Sequence, residues 1–84
     1  MATRINPNKI LIVTTSCMKC PSWITALKTR PDIMIIDENN VIFNDVITKY
    51  NVKSAPYYID IQPETQEVLF ETDDLYELIK FLKI

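Results

Sequence analysis

The chain has 84 residues, 48% of them apolar and 24% charged, with a formal net charge of −2. A single domain of this length buries roughly 60–65% of its unfolded surface, so it can fold alone, and its apolar share excludes bulk disorder. The scattered Lys and Arg residues leave no basic patch for nucleic acid or an anionic membrane, and no apolar run nears the roughly 20 residues that span a bilayer.

The N-terminal MATRINPNK is polar and lacks the apolar core of a signal peptide, so the protein is read as cytosolic. In a reducing cytosol a cysteine pair is more often catalytic or metal-binding than a structural disulfide. The chain has two cysteines, no histidine and no glycine. Turns must therefore be made with Pro, Asn and Asp, and any position with φ > 0 is expected at Asn or Asp.

KILIVTT, residues 9–15, is a continuous β-branched run that fits a strand buried on both faces. TTSCMKCPSW, residues 14–23, follows and holds both cysteines. In PSWITALKTR, Trp23, Ile24 and Leu27 fall at helical spacing, Lys28 and Arg30 suit the C-terminal dipole, and Pro31 stops the helix. If the helix began at Cys17, Pro21 would lack the N–H that bonds back to the Cys17 carbonyl. Either the helix kinks there, or it starts at Pro21, a favoured first position.

DIMIIDE, residues 32–38, reads as a second buried strand. Asn40 is the expected N-cap of a helix whose apolar positions are Val41, Ile42, Val46, Ile47 and Tyr50. YYIDI, residues 57–61, and EVLFE, residues 67–71, are strands joined by the turn QPETQE into a hairpin. Asp73 and Asp74 are expected to cap DLYELIKFLKI, with Leu75, Leu78, Ile79 and Leu82 as its apolar stripe. The order is β-α-β-α-β-β-α in one domain of class α/β. Three helix-linked strands are expected to run parallel, with the hairpin as an antiparallel edge.

Cys17 lies just past the first strand, where the chain turns into a helix. Chemistry in open α/β sheets gathers at that edge, and a helix N-terminus stabilises a thiolate. The first thiol of such a pair attacks a disulfide and the second resolves the mixed disulfide, so Cys17 is the candidate nucleophile and Cys20 the resolving thiol. Two other readings stand beside this one. Zinc takes four ligands, usually thiolate or imidazole, so this chain offers half a site that a dimer would complete. Buried cysteines can also be inert. Lys19 reads as a solvated side chain that tunes charge, and Trp23 as a packing or groove residue.

Three stretches together resemble the thioredoxin fold, and within it the small glutaredoxin-like proteins. They are C-M-K-C after the first strand, Y-N-V-K-S-A-P-Y-Y-I-D at 50–60, and T-D-D-L at 72–75. The resemblance runs from about Lys9 to Leu82. It implies that Cys17 and Cys20 are the redox pair and that Pro56 is a cis-proline facing them. It implies further that the backbone of Ala55 pairs with an incoming peptide or glutathione. Thr72, Asp73 and Asp74 would form the turn whose N–H groups hold a glutathione carboxylate. Alternatively, that turn is a plain N-cap.

This sequence departs from the pattern at several positions. Glutaredoxins usually carry Lys where this chain has Thr14, an aromatic at Lys19, and Gly-Gly at Phe70-Glu71. Thioredoxins carry Trp at Ser16 and a buried Asp at Leu11. The closer likeness is to compact redoxins that supply electrons to ribonucleotide reductase or to protein disulfides generally. That implies a monomer with no bound cofactor, recharged by glutathione or by an NADPH-dependent thioredoxin reductase. Tyr57, Tyr58 and Trp23 are candidates for an apolar groove around the thiols. Two rival functions are a non-enzymatic adaptor on this scaffold and a dimer sharing a metal through its cysteines.

Overall fold

The computed structural model describes residue 5 and residues 7–83. Most of the polar leader's first residues and Ile84, the last residue of the expected final helix, lie outside the described residues. The elements are β1 (Lys9–Ile12), α1 (Cys20–Leu27), β2 (Met34–Ile36), α2 (Phe43–Lys49), β3 (Tyr57–Ile61), β4 (Val68–Thr72) and α3 (Leu75–Leu82). The element order is the expected one. No helix of the described residues is long and apolar enough to cross a membrane.

The sheet order is β2-β1-β3-β4. β1 and β2 are parallel, whereas β3 is antiparallel to both β1 and β4. This corrects the expectation of three parallel strands. A helix between strands gives a parallel pair only if it carries the chain back across the sheet. α2 has seven residues, about 10 Å of rise, and the chain stays at the edge where β1 ends. Tyr57, the first residue of β3, therefore pairs with Ile12, the last of β1. A parallel β3 would have put Pro56 at the far edge, away from the cysteines.

Alternation along the strands splits the core in two. Leu11, Val13 and Tyr58 pack with Cys20, Trp23 and Leu27 under α1, and with Leu78 of α3. Ile10, Ile12, Ile36, Ile59 and Ile61 face the other way and pack with Val46 of α2. Each fully buried Ile or Leu contributes about 1.5–3 kcal/mol relative to exposure.

Several local expectations are corrected. β2 is an edge strand with Met34 exposed, so it is not buried on both faces. Asn40 does not cap α2; its Oδ1 accepts the Ile42 N–H at 3.0 Å in a turn, and Ile42 occupies the cap position. α1 ends at Leu27, well before Pro31, and Arg30 pairs with Asp32 at 3.2 Å. Of the two acids before α3, Asp74 alone is the N-cap, accepting the N–H groups of Tyr76 and Glu77.

Without glycine, the described residues with positive φ are Asn51, Gln66 and Lys83. Only the first is of the expected type. Gln66 is held in the left-handed region by its side chain, which donates to the carbonyls of Ile5 and Pro63 and accepts the Ile5 N–H at 2.7 Å. These bonds offset the cost of a Cβ there.

Candidate active site

Past Ile12, the Val13 N–H donates to the Ile36 carbonyl at 3.0 Å, and the chain then leaves the sheet. The next turn is clamped from the neighbouring strand's end. The Thr15 N–H donates to both carboxylate oxygens of Glu38 at 3.0 and 3.1 Å, and the Thr15 hydroxyl lies 3.3 Å from Oε2. A charge-assisted bond of this kind is stronger than a neutral one, so it fixes the approach to Cys17. Glu38 was missed from sequence. It lies 23 residues from Thr15, in what reads as an ordinary turn, and no motif marks it.

Cys17 and Cys20 form a disulfide with their Cα atoms 5.4 Å apart. Their exposures differ: Cys17 is half-buried, whereas Cys20 is only 1% exposed and belongs to the core under α1. Cys20 is also the first residue of α1, and Pro21 follows within the first turn. The helix starts one residue before Pro21, close to the expected Pro21 start, so the proline sits among its first positions. The missing Pro21 N–H falls where helices have no internal partner for one. Lys19 stands at the cap position and offers no side-chain acceptor. The sulfur fills that role, for the Cys20 N–H donates to Cys17 Sγ at 3.0 Å. The first turn of the helix and one of its N–H groups are thus aimed at the Cys17 sulfur.

The Ala55–Pro56 peptide bond is cis, and it immediately precedes β3. Pro56 is buried, and the half-buried Ala55 packs against the same cluster as Cys17 and Cys20. The antiparallel β3 thus brings this segment to the cysteine edge.

The turn between β4 and α3 reaches the same edge. Thr72 is buried, and its Oγ1 accepts the Asp74 N–H at 3.0 Å. Asp74 Oδ1 in turn accepts the Tyr76 N–H at 2.9 Å and that of Glu77 at 3.4 Å. Three N–H groups of this turn are therefore already engaged by the chain's own oxygens. Asp73 is exposed. Between this turn and the cysteine loop lies a groove of about 540 Å³, with Met18 and Lys19 on one wall and Asp73, Asp74 and Tyr76 on the other.

Of the three groove candidates, Trp23 lines this space while burying nearly all of its ring. Tyr58 is wholly core, and its hydroxyl has no partner among the described residues. Burial, reinforced by Asp60, pushes its phenol well above the ordinary range. The half-buried Tyr57 donates to Glu71, and burial first, then that carboxylate, pushes its phenol up to about 12. Neither tyrosine supplies a proton near neutral pH. A smaller cavity of about 150 Å³ on the α2 side is lined by Ile12, Thr14, Phe43, Ile47, Val52 and Ala55 among others.

The sequence matches no protein-family profile and no curated protein. The structure, however, is similar to the crystal structure of Chlamydomonas reinhardtii thioredoxin f2. The TM-score is 0.59 at 15% identity, over 89% of this chain and 74% of that one. With its four-stranded mixed sheet, three helices and C-x-x-C at the start of α1, the chain has a thioredoxin-like fold.

Proposed function

We propose that this thioredoxin-like chain is a dithiol–disulfide oxidoreductase that reduces protein disulfides. One observation carries the reading: a half-buried Cys17 sulfur accepts an N–H from the first turn of α1, and its partner Cys20 is buried within the same turn. That asymmetry supplies an accessible attacker and a sheltered resolver.

The reaction balances with no bound cofactor. The Cys17 thiolate attacks one sulfur of a substrate disulfide, forming the Cys17–substrate bond and expelling the other sulfur as a thiolate. Cys20 loses its proton to solvent and attacks Cys17 Sγ. The Cys17–Cys20 disulfide forms, the second substrate thiolate leaves, and both take up protons from water. Two electrons pass from the dithiol to the substrate. An extended substrate backbone would pair with residue 55, and the cis Ala55–Pro56 bond beside the cysteine cluster supports that role.

The dithiol is regenerated by an external reductant, either an NADPH-dependent reductase or glutathione. Protein disulfides such as that of a ribonucleotide reductase are the substrate class.

The test is a Cys20→Ser variant incubated with an oxidised protein substrate. A covalent 1:1 adduct through Cys17, released by dithiothreitol, is expected by mass. Absence of any adduct, with Cys17 unmodified, would leave the adaptor reading in its place.

A further inference from the structure

From the groove beside the disulfide we infer that the substrate segment docking there carries an apolar side chain and a neighbouring Lys or Arg. This deepens the oxidoreductase reading and rests on it. Met18, between the two cysteines, is 95% exposed, and Tyr76 on the opposite wall is 85% exposed. Two large side chains held in water on opposite walls of the groove are a surface that a partner's apolar residue would cover, and methionine adapts to varied shapes.

Charge then selects among partners. Asp73 and Asp74 both line the wall formed by the β4–α3 turn, and Glu77 follows in the first turn of α3. Asp74 is partly committed, since its Oδ1 caps the helix. Asp73 is exposed, and its carboxylate has no hydrogen-bond or ion-pair partner among the described residues, although it lies near enough to the Tyr57 phenol to raise it. Lys19 is the single cation of the lining, on the cysteine wall. The two carboxylates outweigh it, so the groove attracts cations. Three N–H groups that could draw an anion here, those of Asp74, Tyr76 and Glu77, are engaged by Thr72 and Asp74. The complementary occupant is a cationic protein disulfide, not an anionic small thiol compound.

The experiment compares two peptide disulfides of identical sequence, except for Lys or Glu beside the attacked cysteine. Each kcat/KM is divided by the same protein's rate on hydroxyethyl disulfide, a small neutral substrate. The Lys peptide is expected to be favoured about tenfold at low ionic strength, as unit charges about 6 Å apart in a watery groove imply. The preference should fall toward parity near 1 M salt, where the Debye length is about 3 Å. Asp73→Lys should reverse the order, and Asp73→Asn should bring the preference close to parity. Oxidised glutathione, rich in carboxylates, should be slower than the Lys peptide.

Equal rates for the two wild-type peptides, or a preference that Asp73→Asn and Asp73→Lys leave intact, would overturn the inference. Failure to turn over even hydroxyethyl disulfide would overturn the oxidoreductase reading, and this inference with it.

Discussion

On the α2 face of the sheet, the buried residues are Ile5, Ile10, Ile12, Ile36, Val46, Ile59 and Ile61, all aliphatic. On the α1 and α3 face they are Leu11, Val13, Cys20, Trp23, Leu27, Ile33, Tyr58 and Leu78, a mixture of sulfur, aromatic and aliphatic groups. The same strands build both faces, because successive residues point to opposite sides. The first face is closed over by a short helix and holds the sheet together. The second opens at the end of β1, where one of its members, Cys20, is covalently tied to a half-buried Cys17. The difference teaches where reactivity can be lodged. A sulfur deep within a core is shielded, whereas at a core's rim, on the first turn of a helix, it lies within bonding reach of a more accessible one.

The largest expected effect separates the rim from both cores. Cys17→Ser should bring disulfide reduction down to the buffer background while leaving the fold intact, since its side chain is only half-buried. A stopped turnover together with a native circular dichroism spectrum and unfolding midpoint is the expected pair of results. Residual turnover would move the nucleophile elsewhere.

The converse change strikes the aliphatic face. Ile59→Ala removes a fully buried side chain opposite α2 and should cost about 2–5 kcal/mol in urea unfolding. In the fraction that remains folded, Cys17 should react with alkylating reagents as in the unaltered protein. A changed thiol reactivity would mean that the two faces are coupled.

The smallest effect lies inside the mixed face. Tyr58 buries a hydroxyl with no partner among the described residues, so Tyr58→Phe removes a desolvated polar atom and keeps the ring. Unfolding should show no loss, and a gain of up to about 1 kcal/mol. A loss above about 1 kcal/mol would reveal a hydrogen bond to that oxygen.

Much of this contrast was legible in the residues. YYIDI became β3 with its predicted bounds because β-branched and aromatic residues between Pro56 and Gln62 have no competing helical period. Both cysteines, Pro56 and the T-D-D-L turn came to one edge of the sheet. The strand direction of β3 was not legible. It depends on where a short helix delivers the chain, which is a property of the packed sheet rather than of the α2 sequence.

Asn40 and Ile42 illustrate a similar limit. An Asn can cap a helix or make a turn, and the choice was decided by which N–H came within reach. Glu38 was invisible because its partner, Thr15, is distant in sequence and adjacent only through the parallel pairing of β1 with β2. Asp73 and Asp74 read alike in the chain. Packing of Thr72 made one a helix cap and left the other facing the groove.

The central claim is that Cys17 and Cys20 act as one two-electron couple at the rim of the mixed core. Its most direct test is a titration of the purified protein through dithiothreitol and glutathione redox buffers, with free thiols trapped by alkylation and counted by mass. The account predicts a single step in which both thiols appear together, with a midpoint between about −300 and −120 mV. Two thiols that stay free across the whole range, or that react independently, would contradict it.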